Sequence, residues 1–496
     1  MKASKSMEID WLSNRKIEWD QFQELRREVL AQWPTGQQVD LDEAIAYHKS
    51  MPDSKNTIQM MRDAKKNGYT LIHSNMGYTT LEQNLELHRY IQDVGRGDFV
   101  RTILDSFSRT HRFAEAEETV KECERTGENL LNGFPAQHYG VSGCRKLVEA
   151  SRVPVHMGGP TVDSRLVYEI CLAAGYTQAE PGGAMTGYSK KGAFETGAAM
   201  SLYGIRLAAH YNDHGVPILC GFMMGIKGSH IPGITPCSLK IVSSVMDALS
   251  TVAQGYKYAM SGSVSQGNLI QDLATNIADY ELVMEYLDRF GYKDVEVFLS
   301  NGHIDGPYPT DHAQSIVSVV FPAIIPALTK AQTCWIKTLD EADAIPTKEN
   351  SAFSLRAVRM MIDIFKDQNI DLVNSKEVRD EAEQQKREAR AIIDKTLEIG
   401  DGNPLIGQKR AMELGVLDWP LPNNQNLKGQ VIGCRDATGA VRYLDFGNLP
   451  LTKEMKDFHR QKLAERARKI GKQPDYDTIV ADMLAISRGS LVPTIA

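Results

Sequence analysis

Short apolar or β-branched runs recur through most of the chain, roughly every 20 to 45 residues, with helical stretches between most of them. This alternation is typical of repeated βα units, whose strands form a parallel sheet. The candidate strands are residues 70–74, 99–105, 130–134, 153–157, 176–180, 217–223, 256–261, 295–300 and 333–338. Nine candidates fit an eight-stranded (β/α)8 (TIM) barrel with one false member better than an open sheet, although the pattern alone does not identify the false one.

The two ends of the chain have other patterns. Residues 1–65 are predicted to be amphipathic helices, one of them beginning after Asp40, a favourable N-cap. Residues 377–398 form a charged helix that looks like a connector, and the β-like runs 430–434 and 440–444 predict a hairpin, followed by a helix near Thr452. We therefore predict an α/β protein with an N-terminal helical segment (1–65), a barrel that carries the functional site (66–384) and a small C-terminal α+β domain (385–496).

Composition narrows the classes of partner. The 496 residues are 42% hydrophobic and carry a formal charge of −7, so no broad basic surface favours nucleic acid or anionic lipid. The polar N-terminus and the absence of long apolar runs predict a cytoplasmic protein without a membrane span. The seven cysteines include no Cys-x-x-Cys pair and are interpreted as buried free thiols.

If the barrel prediction is right, functional groups lie where the strands end, because barrel enzymes gather their polar groups at the carboxyl face. A set of polar residues lies at these positions: His73, Ser74, Asn75, Arg109, Asn132, His156, Glu180, Asn301, His303, Lys337 and Glu341. Several are followed by glycine, which lets the backbone approach a ligand closely. Each residue alone has an equally good structural explanation, so only the set indicates a site.

Other motifs leave alternatives open or are discounted. Lys337 could form a Schiff base or an ion pair with Glu341 at a helix start. Residues 182–190 resemble a phosphate-binding loop but lack its Gly-Lys-Ser/Thr ending. The residues around His303 and His312 form no metal-binding motif, so no metal site is predicted.

Several long motifs lie along nearly the whole chain. They include Gln32-Trp-Pro-Thr-Gly36, Leu130-Leu-Asn-Gly-Phe-Pro135, Tyr139-Gly-Val-Ser-Gly-Cys-Arg-Lys146, Asp163-Ser-Arg-Leu166, Gly267-Asn-Leu-Ile-Gln-Asp272, Ile345-Pro-Thr-Lys-Glu349 and Val441-Arg-Tyr-Leu-Asp-Phe-Gly-Asn448. By these motifs the chain resembles the large, or epsilon, subunit of glutamate mutase (methylaspartate mutase).

The resemblance implies a homodimer of barrel subunits within a heterotetramer, each barrel capped by a small subunit that carries adenosylcobalamin. That small subunit bears an Asp-x-His-x-x-Gly motif whose histidine ligates cobalt. The nearest string here, Asp457-Phe-His459-Arg-Gln-Lys462, lacks the glycine and is interpreted as an unrelated surface stretch on a helix. The small partner must therefore be another chain.

The resemblance also implies site residues. The family positions that contact the cofactor correspond to Gly77, Asn132, Tyr308, Lys337, Glu341 and Ile345. Tyr308 stands where phenylalanine is usual, and Lys337 with Glu341 would hold ribose hydroxyls by hydrogen bonds.

The substrate positions match less well. Glu180, the family's partner of the substrate amino group and its presumed proton acceptor, is present, as is Arg109. Asn75 and Gly158, the latter beside Gly159, stand where the family has two further arginines, and Thr186 and Lys190 replace two tyrosines. Loss of two charged hydrogen-bond donors is expected to weaken glutamate binding by roughly a hundredfold.

Three hypotheses follow. The first is a mutase whose substrate keeps an amino acid end, held by Arg109 and Glu180, and has a different group at the other end, recognised by Lys190 unless that lysine faces solvent. The second is a true glutamate mutase in which His73, His156 or Lys190 replaces the missing charge. The third is a barrel without catalysis that serves binding or assembly.

Overall fold

The computed structural model describes residues 9–159, 161–180, 193–220, 233–342, 345–368, 370–422 and 424–492. Eight strands are parallel: β1 (Leu71–Ser74), β2 (Val100–Ile103), β3 (Val155–Gly158), β4 (Gln178–Ala179), β5 (Leu219–Cys220), β6 (Tyr258–Ser265), β7 (Glu296–Ile304) and β8 (Thr333–Ile336). A hairpin follows, with β9 (Val431–Arg435) antiparallel to β10 (Val441–Phe446).

Helices separate and surround the strands. They are α1 (Trp19–Leu30), α2 (Leu41–Ser50), α3 (Thr57–Asn67), α4 (Leu81–Tyr90), α5 (Ser106–Arg109), α6 (Phe113–Thr126), α7 (Ala136–Ala150), α8 (Arg165–Ala173), α9 (Phe194–Asp213), α10 (Cys237–Val252), α11 (Leu269–Arg289), α12 (His312–Val320), α13 (Ile324–Thr329), α14 (Lys348–Lys366), α15 (Lys376–Ile399), α16 (Pro404–Leu414), α17 (Lys453–Ile470) and α18 (Tyr476–Met483).

The parallel strands form two sheets, with strand orders β1-β8-β7-β6 and β2-β3-β4-β5. A parallel bridge between Met76 and Thr102 joins the chain after β1 to β2. The α/β class with parallel strands is therefore confirmed. The strand pairs among the described residues do not close a ring, so they do not by themselves establish the predicted barrel.

The false strand candidate is residues 130–134. This segment is a loop, in which the Leu131 N–H donates to Thr79 Oγ1 over 2.9 Å. Gly133 lies against the end of β2: a Cβ added there would be 2.5 Å from the backbone nitrogen of Asp105, and its φ is +139°. The loop therefore packs on the carboxyl end of β2 with Leu131 and Phe134 buried, whereas Leu130 is exposed.

Helix starts follow the capping chemistry expected from the sequence. Asp40 accepts a hydrogen bond from the backbone N–H of Glu43, and Thr452 accepts one from that of Met455. The charged helix α15 packs against α10 and α11, and its buried face includes Val378, Ala389 and Ile393. The same buried face also carries charged residues, among them Glu381 and Glu388, which have hydrogen-bond partners on other elements.

The hairpin is tied to the parallel strands by a buried arginine. Arg435 in β9 donates from Nη2 to the carbonyl oxygens of Gly233 and Gln266, over 2.9 and 3.0 Å. These carbonyls lie before α10 and after β6, so the C-terminal hairpin holds two loops of the α/β region in place.

All seven cysteines are free and buried, as the sequence predicts. One described stretch, His312–Thr329, is long and apolar enough to cross a membrane by length and composition. It is interrupted by a 3-10 turn between α12 and α13, and it packs against α11 and α14. Packed segments of a protein interior pass the same test, so this stretch is a weak indication of a membrane span.

Candidate active site at the strand ends

A buried ion pair lies at the carboxyl ends of the second sheet. Nη2 of Arg101, in β2, contacts Oε2 of Glu180, which follows β4. The Arg101 side chain is only 2% exposed and that of Glu180 13%. Side chains at alternate positions of a strand share a face, so Arg101 and Phe99 face the same side as His156 and Gly158 of the paired strand β3.

Gly158 provides the space that Arg101 fills. A Cβ added at Gly158 would lie 2.1 Å from Nε of Arg101 and 2.4 Å from its Nη2. The sequence indicates a missing arginine at position 158, and the structure shows that a guanidinium from the neighbouring strand occupies the same space. Reasoning from the sequence did not single out Arg101, although a charged residue inside the apolar run 99–104 was the available signal.

Arg109 lies beside this pair. Its Nε donates to the carbonyl oxygen of Leu104 over 2.7 Å, and its Nη2 would be 3.0 Å from a Cβ added at Gly159. Gly159 has φ +107°, a conformation that favours glycine, and its N–H lies 3.4 Å from Oε2 of Glu180. The structure thus brings together four predicted substrate residues, Arg109, Gly158, Gly159 and Glu180.

Two buried histidines lie below the pair. The rings of His73 and His156 are 5.7 Å apart, and Oγ1 of Thr57 lies 2.9 Å from Nε2 of His156. Burial holds the pKa of both imidazoles well below the ordinary value, and the positive charge of Arg101 lowers both further. Both rings are therefore neutral near pH 7 and do not supply the positive charge that the second hypothesis asked of them.

Several buried polar atoms in this region have no hydrogen-bond partner among the described residues. They are Nε and Nη1 of Arg101, Oδ1 of Asn75 and Nδ1 of His73. Such atoms are costly to bury unless a ligand or water satisfies them. Thr186 and Lys190, the remaining predicted substrate residues, lie outside the described residues.

The predicted cofactor residues lie in loops after β1, β7 and β8 and in the 130–134 loop. Nζ of Lys337 is 2.5 Å from Oε1 of Glu341, which forms part of a 3-10 turn, so the structure shows the ion pair rather than an isolated lysine. The hydroxyl of Tyr308 donates to the carbonyl oxygen of Ile304 over 3.2 Å. Burial, and next the Glu341 charge, raise the pKa of Tyr308 well above its ordinary value.

Of the other predicted cofactor residues, Gly77 is tightly packed, whereas Asn132 and Ile345 are exposed to solvent. A Cβ added at Gly77 would lie 2.8 Å from the Ile103 carbonyl oxygen and 3.0 Å from Cα of Gly133, so only glycine allows the two loops to touch there.

Within the described residues, no group of three or more His, Cys, Asp or Glu side chains could hold a metal ion. His459 lies in helix α17, as predicted, but the surface interpretation of its stretch is wrong for this residue. It is buried, and its Nε2 lies 2.8 Å from Oε1 of Glu388 in α15. His459 therefore joins two helices.

The chain is an α/β protein with a guanidinium–carboxylate pair at the carboxyl ends of its parallel strands. In enzymes of this class the polar groups that bind small molecules lie at the same ends of the strands. The family model described as "Methylaspartate mutase E chain (MutE)" matches residues 51–494, and the chain belongs to this family. The family name denotes an isomerase.

Curated relatives agree with this assignment and confirm the resemblance. The chain is 37% identical to the glutamate mutase epsilon subunit of Desulfitobacterium hafniense, over 97% of this chain and 99% of the relative. It is 35% identical to that of Treponema denticola, over 97% and 98%, and 32% identical to that of Haloarcula marismortui, over 97% and 96%.

Proposed function

We propose that this chain is the catalytic subunit of an adenosylcobalamin-dependent carbon-skeleton mutase that isomerises an amino acid, in a reaction of the glutamate to 3-methylaspartate type. The observation that carries the proposal is the buried Arg101–Glu180 pair with Arg109 beside it, in a chain of the methylaspartate mutase family. A binding relic would have no need of such a costly buried pair, which argues against a barrel without catalysis.

We further infer that the two sheets are arcs of one eight-stranded barrel. The parallel bridge between Met76 and Thr102 supports this inference, because it joins the chain after β1 to β2. Side chains of the two sheets also meet: the guanidinium carbon of Arg101 in β2 is 6.0 Å from the ring centre of Trp335 in β8, and His73 of β1 contacts His156 of β3. An inner face shared by both sheets is what a filled barrel requires.

The chain's own residues hold the substrate. Glu180 accepts hydrogen bonds from the substrate ammonium group and is the group placed to accept its proton. Arg109 binds a carboxylate of the substrate. The neutral rings of His73 and His156 lie buried next to the Arg101–Glu180 pair. When bound, adenosylcobalamin supplies the radical chemistry of the rearrangement.

The residues that would hold the cofactor fit it. Lys337 and Glu341 offer a donor and an acceptor for ribose hydroxyls, and Gly77 allows the loop after β1 to pack against Gly133, next to Asn132. The exposed Asn132 and Ile345 suit contact with a cofactor carried by another chain. That chain is a small cobalamin-binding subunit with an Asp-x-His-x-x-Gly motif, in a cytoplasmic heterotetramer built on a dimer of this subunit.

Two substrate candidates remain. An amino acid other than glutamate is favoured by Asn75 and Gly158, which carry no charge. Glutamate itself is favoured by Arg101, because its guanidinium lies over Gly158. Lys190 is the residue proposed to recognise the far end of the substrate in the first case.

The test is turnover of L-glutamate by this chain reconstituted with the small subunit and adenosylcobalamin, followed in the ultraviolet after coupling to methylaspartate ammonia-lyase. A Glu180→Gln variant, which keeps the shape of the side chain, is the matched control and should lose turnover. Turnover by the unaltered chain would establish glutamate. No turnover with cofactor bound would exclude glutamate and direct the assay to other amino acids, and failure to bind the cofactor at all would overturn the mutase proposal.

A further inference from the structure

We propose that Arg101 and Glu180 form one binding site for the head group of an α-amino acid, with the guanidinium of Arg101 binding the α-carboxylate. This rests on the proposed function in taking the ligand to be an amino acid, and it assigns the carboxylate contact to a residue of β2.

The first support is the unused hydrogen-bonding capacity of a buried charge. A guanidinium has five N–H donors, and one nitrogen of Arg101, Nη2, contacts Glu180. Nε and Nη1 have no hydrogen-bond partner within the described part of the chain. Solvent cannot readily replace that partner, because the side chain is only 2% exposed. A carboxylate can bind end-on to Nη1 and to the second N–H of Nη2, which is one of the two bidentate geometries of a guanidinium.

The second support is the adjacency of the two charges. In an α-amino acid the ammonium and carboxylate groups are attached to the same carbon, so their binding groups must also be neighbours. Arg101 and Glu180 are in direct contact, and the Gly159 N–H is 3.4 Å from the same carboxylate oxygen. The pair is therefore complementary to a zwitterion, which brings one charge of each sign.

The third support is the space at Gly158. The guanidinium lies where a side chain at position 158 would begin, 2.1 Å from the ideal Cβ position. Even an alanine at position 158 would push the guanidinium of Arg101 out of its place. The arginine and its positive charge would still be present in the protein. Arg109 lies next to Gly159, with its Nη2 3.0 Å from an ideal Cβ position there.

Binding of L-glutamate and of L-glutamine to the reconstituted complex, measured by isothermal titration calorimetry, tests the assignment. The two ligands share the head group and differ in the side-chain carboxylate. Arg101→Ala should weaken both by a similar factor, about 100-fold for a lost bidentate charged contact. Gly158→Ala, which keeps the charge and disturbs only the guanidinium position, should weaken both by at least about tenfold.

A relocation variant separates binding from a structural role. Arg101→Ala combined with Gly158→Arg moves the guanidinium to β3 and should recover at least about tenfold of the lost affinity, whereas Gly158→Arg alone, with two guanidinium groups competing for one space, should bind poorly. Arg62→Ala removes an exposed arginine that pairs with Glu296 and is the control, with unchanged affinity expected.

Affinity unchanged in Arg101→Ala, or reduced for L-glutamate alone, would overturn the assignment, the latter by placing Arg101 on the side-chain carboxylate. Lack of measurable binding of both ligands to the unaltered complex would overturn it as well. Arg101-dependent binding without turnover of any amino acid would instead support the head-group site and sink the mutase proposal, so the two failures are distinguishable.

Discussion

At the scale of single residues, burial raises the pKa of a carboxylate next to the strand ends. Asp305, directly after β7, is buried and lies 3.8 Å from Nζ of Lys240. Burial, the largest effect, raises the pKa of Asp305 to about 6, although the positive charges of Lys240 and Arg435 lower it. An acid with a folded pKa above its unfolded pKa stabilises the fold at low pH and loses that contribution as pH rises through the folded value.

Asp305→Asn should therefore gain stability relative to the unaltered chain as pH rises from 4 to 6. Asparagine stays neutral, whereas Asp305 must ionise in a buried position, so the difference in free energy of unfolding should grow by about 2 to 3 kcal/mol. Denaturant unfolding of both chains at pH 4.5 and pH 7.5 measures it. A difference that is the same at both pH values would contradict the raised pKa.

At the scale of elements, a single carboxylate joins the 3-10 turn after β8 to the start of α14, close to Ile345. Oδ2 of Asp340 accepts hydrogen bonds from the N–H and the hydroxyl of Thr347, over 2.7 and 3.1 Å, and Oδ1 accepts one from Nδ2 of Asn350. Thr347 is in turn the N-cap of α14. The 3-10 turn after β8 and the start of α14 are thus held together by Asp340.

Asp340→Ala should separate the 3-10 turn from the start of α14 and weaken binding of the cofactor-loaded small subunit by about tenfold, the effect of losing one or two charged hydrogen bonds. Affinity for the amino acid should stay unchanged, because Asp340 does not contact the Arg101–Glu180 pair. Visible absorbance of cobalamin and calorimetry give the two affinities. Asp40→Ala, which removes the N-cap of α2, is the matched control; an equal loss there would indicate general destabilisation.

At the scale of the whole molecule, the C-terminal residues are part of the support of the α/β region. Glu388 in α15 accepts a hydrogen bond from Ser238 in α10 over 2.8 Å, and Arg435 holds the Gly233 and Gln266 carbonyls. All residues of α10 are buried. Removal of these contacts would expose an apolar helix and leave buried polar groups without partners.

A chain truncated after residue 384 should therefore fail to fold, even though residues 66–384 contain all eight parallel strands. Circular dichroism during heating should show one cooperative transition for the full chain and none for the truncated chain. A soluble, cooperatively melting 1–384 fragment would show that the predicted boundary separates two independent domains.

Local pattern was enough for much of the fold. The periodicity of apolar residues located eight parallel strands, the capping residues located helix starts at Asp40 and Thr452, and the turn residues predicted the hairpin, since each depends on neighbours within a few positions. The loop at 130–134 was mistaken for a strand, because burial against the end of β2 selects the same apolar residues as a sheet does.

The sequence by itself determined the α/β class and the family. It also predicted Arg109 and Glu180 as site residues, because each occupies a position that matches the family. Only the tertiary structure shows that the guanidinium of Arg101 fills the space next to Gly158. The strand register sets Arg101 beside His156 and Gly158, and the absent Cβ at 158 leaves the volume that a long side chain from the next strand can fill. A comparison of the sequence with the family, position by position, finds only that an arginine is absent at position 158. The charge in the site also depends on side chains that reach it from other strands.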